Sequence, residues 1–192
     1  PAWINALNFG LGHQAYVIRA DNQGKTVGEI PLLLVSGPIF GKFLCSLPYI
    51  NTGGVWAQND EICSALIDRA CDLADSLDVR YLELRHEKSF SHAKLNFERS
   101  DKVHMRLNLP DSDDALDKSF KSKLRSQVRK SGSHNHCVKW GGHDLLNDFY
   151  FVFSTNMRDL GTPVFPRQLF GAILSEFGTD AELCIVENAG RP

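Results

Sequence analysis

One order of elements occurs twice in this chain, and this duplication constrains the fold more than any other feature. Each copy reads as a short helix, a strand and a glycine-containing turn. The landmarks are Pro1, residues 15–19 and Gly24 in the first copy, and Pro166, residues 182–187 and Gly190 in the second. Proline favours the first turn of a helix and glycine favours hairpin turns. We therefore predict an internal structural repeat, although helix–strand–hairpin units are common in α/β proteins and a coincidence is the alternative.

The second copy stops at its turn, whereas the first continues into a return strand. A strand over residues 182–188 without a partner would leave backbone N–H and C=O groups unpaired. The chain also starts at Pro1 without a methionine. We therefore expect a fragment of a longer protein, with most of the missing sequence beyond Pro192. A complete small domain with ragged ends is the alternative.

Composition excludes several classes of function. A content of 43% hydrophobic residues can supply a core, and a net charge of −2 gives no overall attraction to DNA. No apolar run approaches the roughly 20 residues that a membrane span needs. The five cysteines form no C-x-x-C pair, which favours reduced thiols and a cytoplasmic location. His134 and His136 have no second cluster at zinc spacing, so we predict no metal site.

Periodicity predicts an α+β protein with a mostly antiparallel, GNAT-like sheet flanked by helices. The predicted strands are 13–20, 26–36, 42–47, 79–85, 102–109, 137–140 and 182–188. The predicted helices are 60–77, 113–131, 143–160 and 166–177, together with a short one at the N-terminus. Pro110 breaks the chain before the 113–131 helix. We place a domain boundary there, between residues 1–110 and 111–192.

The predicted helix over 113–131 carries the densest charge pattern. Basic residues recur at four-residue spacing beside an apolar stripe, at Lys118, Lys121, Arg125 and Arg129. Like charges at this spacing repel, and only Asp114 and Asp117 can partner them within the helix. Such a stripe suits a phosphate-bearing partner, either a sugar nucleotide, a carrier or an RNA. A solvated face, with its cations favoured by the helix dipole, is the alternative.

A second polar group surrounds a predicted helix end. Asn156, Arg158, Asp159 and Thr162 lie around Gly161, which fits a C-cap. We interpret Arg158 as a binding residue and Asp159 as a candidate general base. A helix terminus with a cation near its dipole is the alternative.

The adjacent glycines Gly53 and Gly54 follow a predicted strand and precede a predicted helix. Adjacent glycines let backbone N–H groups approach an anion closely. They are therefore candidate substrate contacts, with a tight turn as the alternative.

Five stretches, taken in order, resemble the FemAB-like acyltransferases, most of all the branch associated with exosortase/PEP-CTERM exopolysaccharide systems of Gram-negative bacteria. They are Val27-Gly-Glu-Ile-Pro-Leu-Leu-Leu34, Phe43-Leu-Cys-Ser-Leu-Pro-Tyr49 with the glycine pair that follows, Tyr81-Leu-Glu-Leu-Arg85, Lys123-Leu-Arg-Ser-Gln-Val-Arg-Lys130 and Asn156-Met-Arg-Asp-Leu-Gly-Thr-Pro163. The resemblance implies two tandem GNAT-like domains, the second one truncated. It also implies transfer of an acyl or aminoacyl group to a small or carrier-linked amine in cell-envelope or exopolysaccharide metabolism.

The resemblance assigns roles residue by residue. Arg125 and Arg129 would contact an anionic part of the donor or acceptor, and Arg158 with Asp159 would orient the acceptor. The other matching polar positions are Lys123, Gln127, Lys130, Asn156 and Thr162. The donor would be acyl-CoA or an aminoacyl-tRNA. The R/Q-x-x-G-x-G/A phosphate loop of GNAT enzymes is missing from this sequence, so we expect no cofactor in this fragment and no activity from it. A non-catalytic module that binds an anionic glycan precursor or RNA is the alternative function.

Overall fold

The computed structural model describes residues 2–38, 41–134 and 136–192, and it divides into two compact units. The first comprises the chain up to Ser100 together with Phe165–Asp180, and the second comprises Asp101–Val164 and Ala181–Pro192. The predicted boundary at Pro110 lies ten residues after Ser100, where the chain first leaves the first unit. The prediction did not assign Phe165–Asp180 to that unit. The assignment of both parts as tandem GNAT-like domains remains a prediction. Pro1, a landmark of the repeat, lies outside the described residues.

The elements follow the predicted order, except that β4 was not predicted and that three predicted elements differ, as described below. In chain order they are α1 (Ala2–Leu11), β1 (Gln14–Asn22), β2 (Lys25–Gly37), β3 (Gly41–Cys45), β4 (Trp56–Ala57), α2 (Asp60–Ser76), β5 (Leu82–Glu83), α3 (Asp113–Ser119), α4 (Ser122–Ser131), β6 (His136–Gly141), α5 (Leu146–Asp159), α6 (Arg167–Phe177) and β7 (Leu183–Asn188). Short 3₁₀ turns precede α5 and follow α6.

The first unit is built on one mixed sheet of order β1-β2-β3-β5, with β4 pairing on β2. All its pairings are antiparallel except β3 with β5. Alternation along β2 divides its side chains between two faces. Ile30 and Leu32 pack with Leu66 and Ala70 of α2, and α2 begins at the N-cap Asn59, whose side chain accepts from the Ile62 backbone N–H.

The opposite face of the sheet is covered by α1 and α6. Leu33 of β2 packs there with Ile4 and Leu7 of α1 and Leu169 of α6. Gly10 of α1 lets the two helices approach, because a Cβ atom on it would lie 2.7 Å from the Leu169 Cα. The second copy of the repeat thus contributes its helix to the first unit.

Both hairpin turns of the repeat have the same backbone conformation. In the first, Gln23 and Gly24 have φ of 49° and 78°; in the second, Ala189 and Gly190 have φ of 52° and 74°. Two consecutive residues with positive φ are the signature of a type I′ turn, which suits the twist of a hairpin. The helix–strand–turn order is therefore present twice.

The second unit contains a two-stranded antiparallel sheet of β6 and β7. The expectation that the last strand lacks a partner is wrong, because β7 pairs with β6 along its whole length, from Leu183 to Asn188. Sequence periodicity could not show this pairing, since β6 lies more than 40 residues earlier in the chain.

Three predicted elements differ from the structure. Only Leu82–Glu83 of the 79–85 stretch pairs as a strand. Residues 102–109 form no strand, and Val103 and Met105 are 81% and 83% exposed despite their alternation. The predicted 113–131 helix is two helices, since Phe120 and Lys121 adopt extended backbone between α3 and α4. Pattern alone cannot decide these cases, because a strand needs a neighbour and a helix needs continuous helical dihedral angles.

Candidate functional site

Helix α4 carries an exposed basic surface, which we define as Lys121, Lys123, Arg125, Arg129 and Lys130. The helix has no buried residue. Its apolar residues Leu124 and Val128 are 42% and 50% exposed. Packing of α4 against the rest of the protein therefore does not explain why the helix carries these basic residues.

The break at Phe120 corrects the predicted stripe at its first member. Lys118 belongs to α3 and its Nζ lies 2.5 Å from a carboxylate oxygen of Asp114, one turn earlier. Arg125 is the half-buried member of the surface, and its Nη1 donates to the Lys118 backbone oxygen at 3.5 Å. Gln127 and Arg129 are exposed on the same helix. The structure thus places Arg125, Gln127, Arg129 and Lys130 on α4, where Arg125 and Arg129 share a face one turn apart, and pairs Lys118 with Asp114 on α3.

The second predicted group lies at the end of α5. Gly161 has φ of 64° and its N–H donates to the Arg158 carbonyl, so it ends the helix as the sequence indicated. Arg158 Nε and Nη2 both donate to one oxygen of Asp159, at 3.0 and 2.9 Å. Asn156 and Thr162 are exposed nearby in the chain. Adjacent residues of a helix do not face each other, yet these two form an ion pair.

This ion pair bears on the proposed role of Asp159. The side chains of Arg158 and Asp159 are 74% and 62% exposed. A general base works best where the surroundings exclude water and hold it against the reacting proton. The geometry therefore fits a pair that positions a ligand better than it fits a lone base.

The glycine pair lies in the first unit, and both members approach other residues of the protein closely. A Cβ atom on Gly53 would lie 2.6 Å from the Leu47 Cβ, and one on Gly54 would lie 2.4 Å from the His86 Cδ2. These are closer than real Cβ contacts. Close packing against Leu47 and His86 thus requires glycine at both positions. This requirement holds whether or not Gly53 and Gly54 contact a ligand.

The same loop contributes to a cleft that sequence analysis did not foresee. The cleft has a volume of about 320 Å³ and is lined by Thr26, Glu29, Pro31, Leu47, Gly53, Gly54 and Trp56. We call it the Trp56 cleft. Glu29 and Trp56 are direct partners in the pairing of β2 with β4, and Arg19 of β1 is the partner of Glu29 on its other side. Directly paired residues share a face of the sheet.

The cleft exists because α1 and α6 cover only part of their face. Leu33 and its β1 partner Ala15 pack beneath these helices. Two and four residues before Leu33, Pro31 and Glu29 lie on the same face and line the cleft. Trp56 is 56% exposed there. Alternation within β2 could have placed Glu29 on this face, but only the β2–β4 pairing brings Trp56 to it.

Arg85 holds the loop that contributes Leu47, Gly53 and Gly54 to the cleft. Its Nε donates to Glu83 at 2.7 Å and its Nη1 donates to the Ile50 carbonyl at 2.8 Å. Its backbone N–H donates to the Oγ of the buried Ser46, and its carbonyl accepts from the Gly53 N–H. The bonds to Ile50, Ser46 and Gly53 tie the 46–54 loop to the chain just after β5, and the bond to Glu83 fixes the Arg85 guanidinium. A motif residue of the sequence analysis thus positions the glycine pair.

The five cysteines are all free. Burial raises the pKa of Cys45 to about 12, and this residue is fully enclosed, whereas Cys137 and Cys184 are exposed. The thiolate is the reactive form. We expect iodoacetamide at pH 8 to modify Cys137 and Cys184 in the folded protein and Cys45 only after unfolding in guanidinium. Peptide mapping by mass spectrometry checks this, and equal rates for Cys45 and Cys137 in the folded protein would contradict it.

Metal-binding clusters and membrane-spanning helices are both absent from the described part of the chain. Among the described residues, no group of three or more His, Cys, Asp or Glu side chains is placed to hold a metal ion. The rings of His134 and His136 stack with centroids 5.4 Å apart. Within the described part of the chain, no helix has both the length and the apolar character that crossing a bilayer requires.

No protein-family model matches the sequence, and neither does any curated protein. Among solved structures, the chain is similar to one described as the crystal structure of FemX, with a TM-score of 0.57 and 17% sequence identity. The match covers 97% of this chain and 51% of FemX, so the chain spans about half the length of that protein. At this identity the likeness concerns the fold. The α+β, GNAT-like class predicted from the sequence is confirmed.

Proposed function

We propose that this chain forms part of a FemAB-type transferase that moves an acyl or aminoacyl group onto an amine. The fold likeness to FemX over 97% of the chain is the observation that carries the proposal. The ordered motif series of the sequence also supports it, and the stretches around Glu29, Leu47 and Arg85 lie at or beside the Trp56 cleft. We place the reaction in cell-envelope metabolism, and the motif series favours the exosortase/PEP-CTERM branch within it.

The chemistry requires few dedicated side chains. An amine attacks the acyl carbonyl, the oxygen gains negative charge in the tetrahedral intermediate, and the thiol or tRNA hydroxyl then leaves. Holding the two reactants together accounts for much of the acceleration in such a reaction, and backbone N–H groups can stabilise the oxyanion. Arg158 and Asp159 are proposed to orient the amine acceptor. The donor is proposed to be acyl-CoA or an aminoacyl-tRNA.

The basic surface is proposed to bind the phosphates of the donor or of a carrier-linked acceptor. Arg125 and Arg129 present planar N–H groups that match phosphate oxygens two at a time. Neither residue has an acidic partner one turn away in α4, as Lys118 has in α3. Exposed cations without carboxylate partners are free to exchange water and counterions for phosphate.

Transfer can be tested with an acceptor that combines an amine with phosphates. Because no activity is expected from this chain alone, the transferase of which it is proposed to form part is incubated with UDP-glucosamine and either acetyl-CoA or alanyl-tRNA, and acylated product is measured by mass spectrometry. Product with one donor supports the transferase. Binding of UDP-glucosamine or tRNA without product from either donor would favour the second candidate, a non-catalytic module for anionic glycan precursors or RNA.

The Arg125→Ala/Arg129→Ala double variant tests the basic surface directly. We expect tRNA affinity to fall about tenfold or more and the slope of log affinity against log salt to decrease by about 2, since two phosphate contacts are lost. The melting temperature should stay nearly unchanged because α4 has no buried residue. Fluorescence anisotropy at several salt concentrations measures both quantities.

Lys118→Ala is the matched control, because Lys118 is a neighbouring cation already paired with Asp114. It should leave both affinity and salt slope unchanged. If the double variant unfolds, Arg125 and Arg129 of the basic surface stabilise the fold and do not serve mainly in binding. If Lys118→Ala lowers the affinity as much, binding follows overall charge and not this surface.

A further inference from the structure

The Trp56 cleft combines an exposed indole with an ion pair on one sheet face. Arg19 Nε lies 2.6 Å from a carboxylate oxygen of Glu29, and the Arg19 and Glu29 side chains are 51% and 21% exposed. Trp56 is the β4 partner of Glu29. Glu29 therefore lies between Trp56 and Arg19 on this face, and it lines the cleft together with the apolar residues Pro31 and Leu47.

The ion pair sets the charge of a suitable ligand. Because Arg19 and Glu29 neutralise each other, the cleft offers no net charge to attract an ion. A phosphate would meet the Glu29 carboxylate, and an ammonium group would have to displace Arg19 from it. The pair nevertheless has hydrogen-bonding capacity, since a guanidinium has five N–H donors and a carboxylate has about four acceptor sites. Such a site favours a neutral ligand that both donates and accepts hydrogen bonds.

The ring and the volume set the shape of the ligand. The face of an indole is electron-rich and attracts the weakly positive hydrogens of a flat apolar surface. A volume of about 320 Å³ lies at the small end of ligand pockets, which run from roughly 300 to 1,000 Å³. This is room for one ring against the indole. A pyranose has one face of C–H groups and a rim of hydroxyl groups, which matches the indole and the ion pair respectively.

We propose that the Trp56 cleft binds a neutral pyranose ring, stacked on Trp56 and hydrogen-bonded by Arg19 and Glu29. This site lies in the first unit and uses none of the residues of the basic surface. It gives the protein a means of recognising the sugar of a glycan or glycan precursor separately from its phosphates. The proposal stands on the cleft alone and does not require that the protein transfer acyl groups.

The test uses saturation-transfer-difference NMR with millimolar methyl glucopyranoside, methyl mannopyranoside, methyl galactopyranoside and N-acetylglucosamine as probes. Glucosamine and glucuronate serve as the cationic and anionic counterparts. We expect transfer to at least one neutral sugar, strongest at the C–H protons that face the indole, and weaker transfer to the charged sugars. No transfer to any neutral sugar, or stronger transfer to a charged one, would overturn the proposal.

Variants locate the binding. Trp56→Ala should weaken the affinity for the bound sugar about tenfold, whereas Trp56→Phe should retain part of it because a ring remains. Trp140→Ala is the matched control, since Trp140 is 66% exposed in the second unit. Unchanged binding in Trp56→Ala, or equal loss in Trp140→Ala, would refute the site.

Glu29→Gln provides a second variant that keeps the shape and removes the charge. The site then becomes net positive through Arg19, so the preference should shift toward glucuronate while neutral sugars still bind. An unaltered preference would exclude the ion pair from the site. Arg125→Ala/Arg129→Ala should bind the neutral sugar normally, which separates failure of this proposal from failure of the proposed transferase function.

Discussion

Gly54→Ala is expected to lower the free energy of unfolding by about 2–3 kcal/mol, because it forces a methyl group into a filled site. The added Cβ would lie 2.4 Å from the His86 Cδ2 and 2.9 Å from the His86 Cα. The His86 ring could rotate, but its backbone is anchored beside Arg85, whose carbonyl accepts from Gly53. The effect is steric, since Gly54 is not among the glycines with positive φ. Urea denaturation followed by circular dichroism measures it.

His86 supplies a test of the cause. Removing its ring in a Gly54→Ala/His86→Ala double variant relieves the contact with Cδ2 but not the contact with Cα. We therefore expect partial recovery relative to the sum of the two single variants. Gly37→Ala is the matched control, since a Cβ there meets no atom within 4 Å. If Gly54→Ala is as stable as the wild type and loses only ligand binding, the glycine serves as an anion nest and the packing explanation fails.

Gly10→Val is expected to lower the free energy of unfolding by about 2–3 kcal/mol for a related reason. Its Cβ would lie 2.7 Å from the Leu169 Cα and 3.0 Å from the Leu169 Cδ1. A main-chain atom cannot move aside without displacing helix α6 from α1. That displacement would also disturb the tilted contact of Trp3 with Phe177, whose ring centroids are 4.7 Å apart, and the hydrogen bond from Gln168 to the Phe9 carbonyl.

Phe9→Val is the control for this substitution. Phe9 neighbours Gly10 in α1, and its side chain is 60% exposed, so the same valine enters the same helix away from α6. It should change stability by less than about 0.5 kcal/mol, as surface substitutions usually do. Equal losses in both variants would mean that valine acts through helix propensity and not through the close approach of the two helices.

The elements whose signals are local could be predicted from the sequence. The α2 helix needs only an apolar stripe and the Asn59 cap, and the two hairpins need only a glycine that accepts positive φ. Predictions that depended on a strand partner far away in the sequence were wrong. The alternating residues 102–109 have no neighbouring strand in the structure, and the last strand finds in β6 a partner that its own residues do not specify.

The candidate sites divide in the same way. The basic residues of α4 are close together in the sequence, so helical spacing sufficed to group Arg125 with Arg129. The pairing of Arg158 with Asp159 depends on rotamers, which spacing does not give. The Trp56 cleft joins residues of β2, of β4 and of the loop that follows β3. No local pattern links them, since the cleft arises where the cover of α1 and α6 ends.

The sequence by itself determined the α+β class, the repeated helix–strand–turn unit and the cationic character of α4, because each follows from neighbours along one helix, strand or turn. Tertiary structure decided that the α6 helix packs against α1, that the glycine pair is enclosed by Leu47 and His86, and that Arg19, Glu29 and Trp56 share one surface. The physical reason is that burial and strand pairing join residues far apart in the chain. The free energy of burial and of strand pairing depends on which surfaces come into contact. The sequence of any single segment does not specify those contacts.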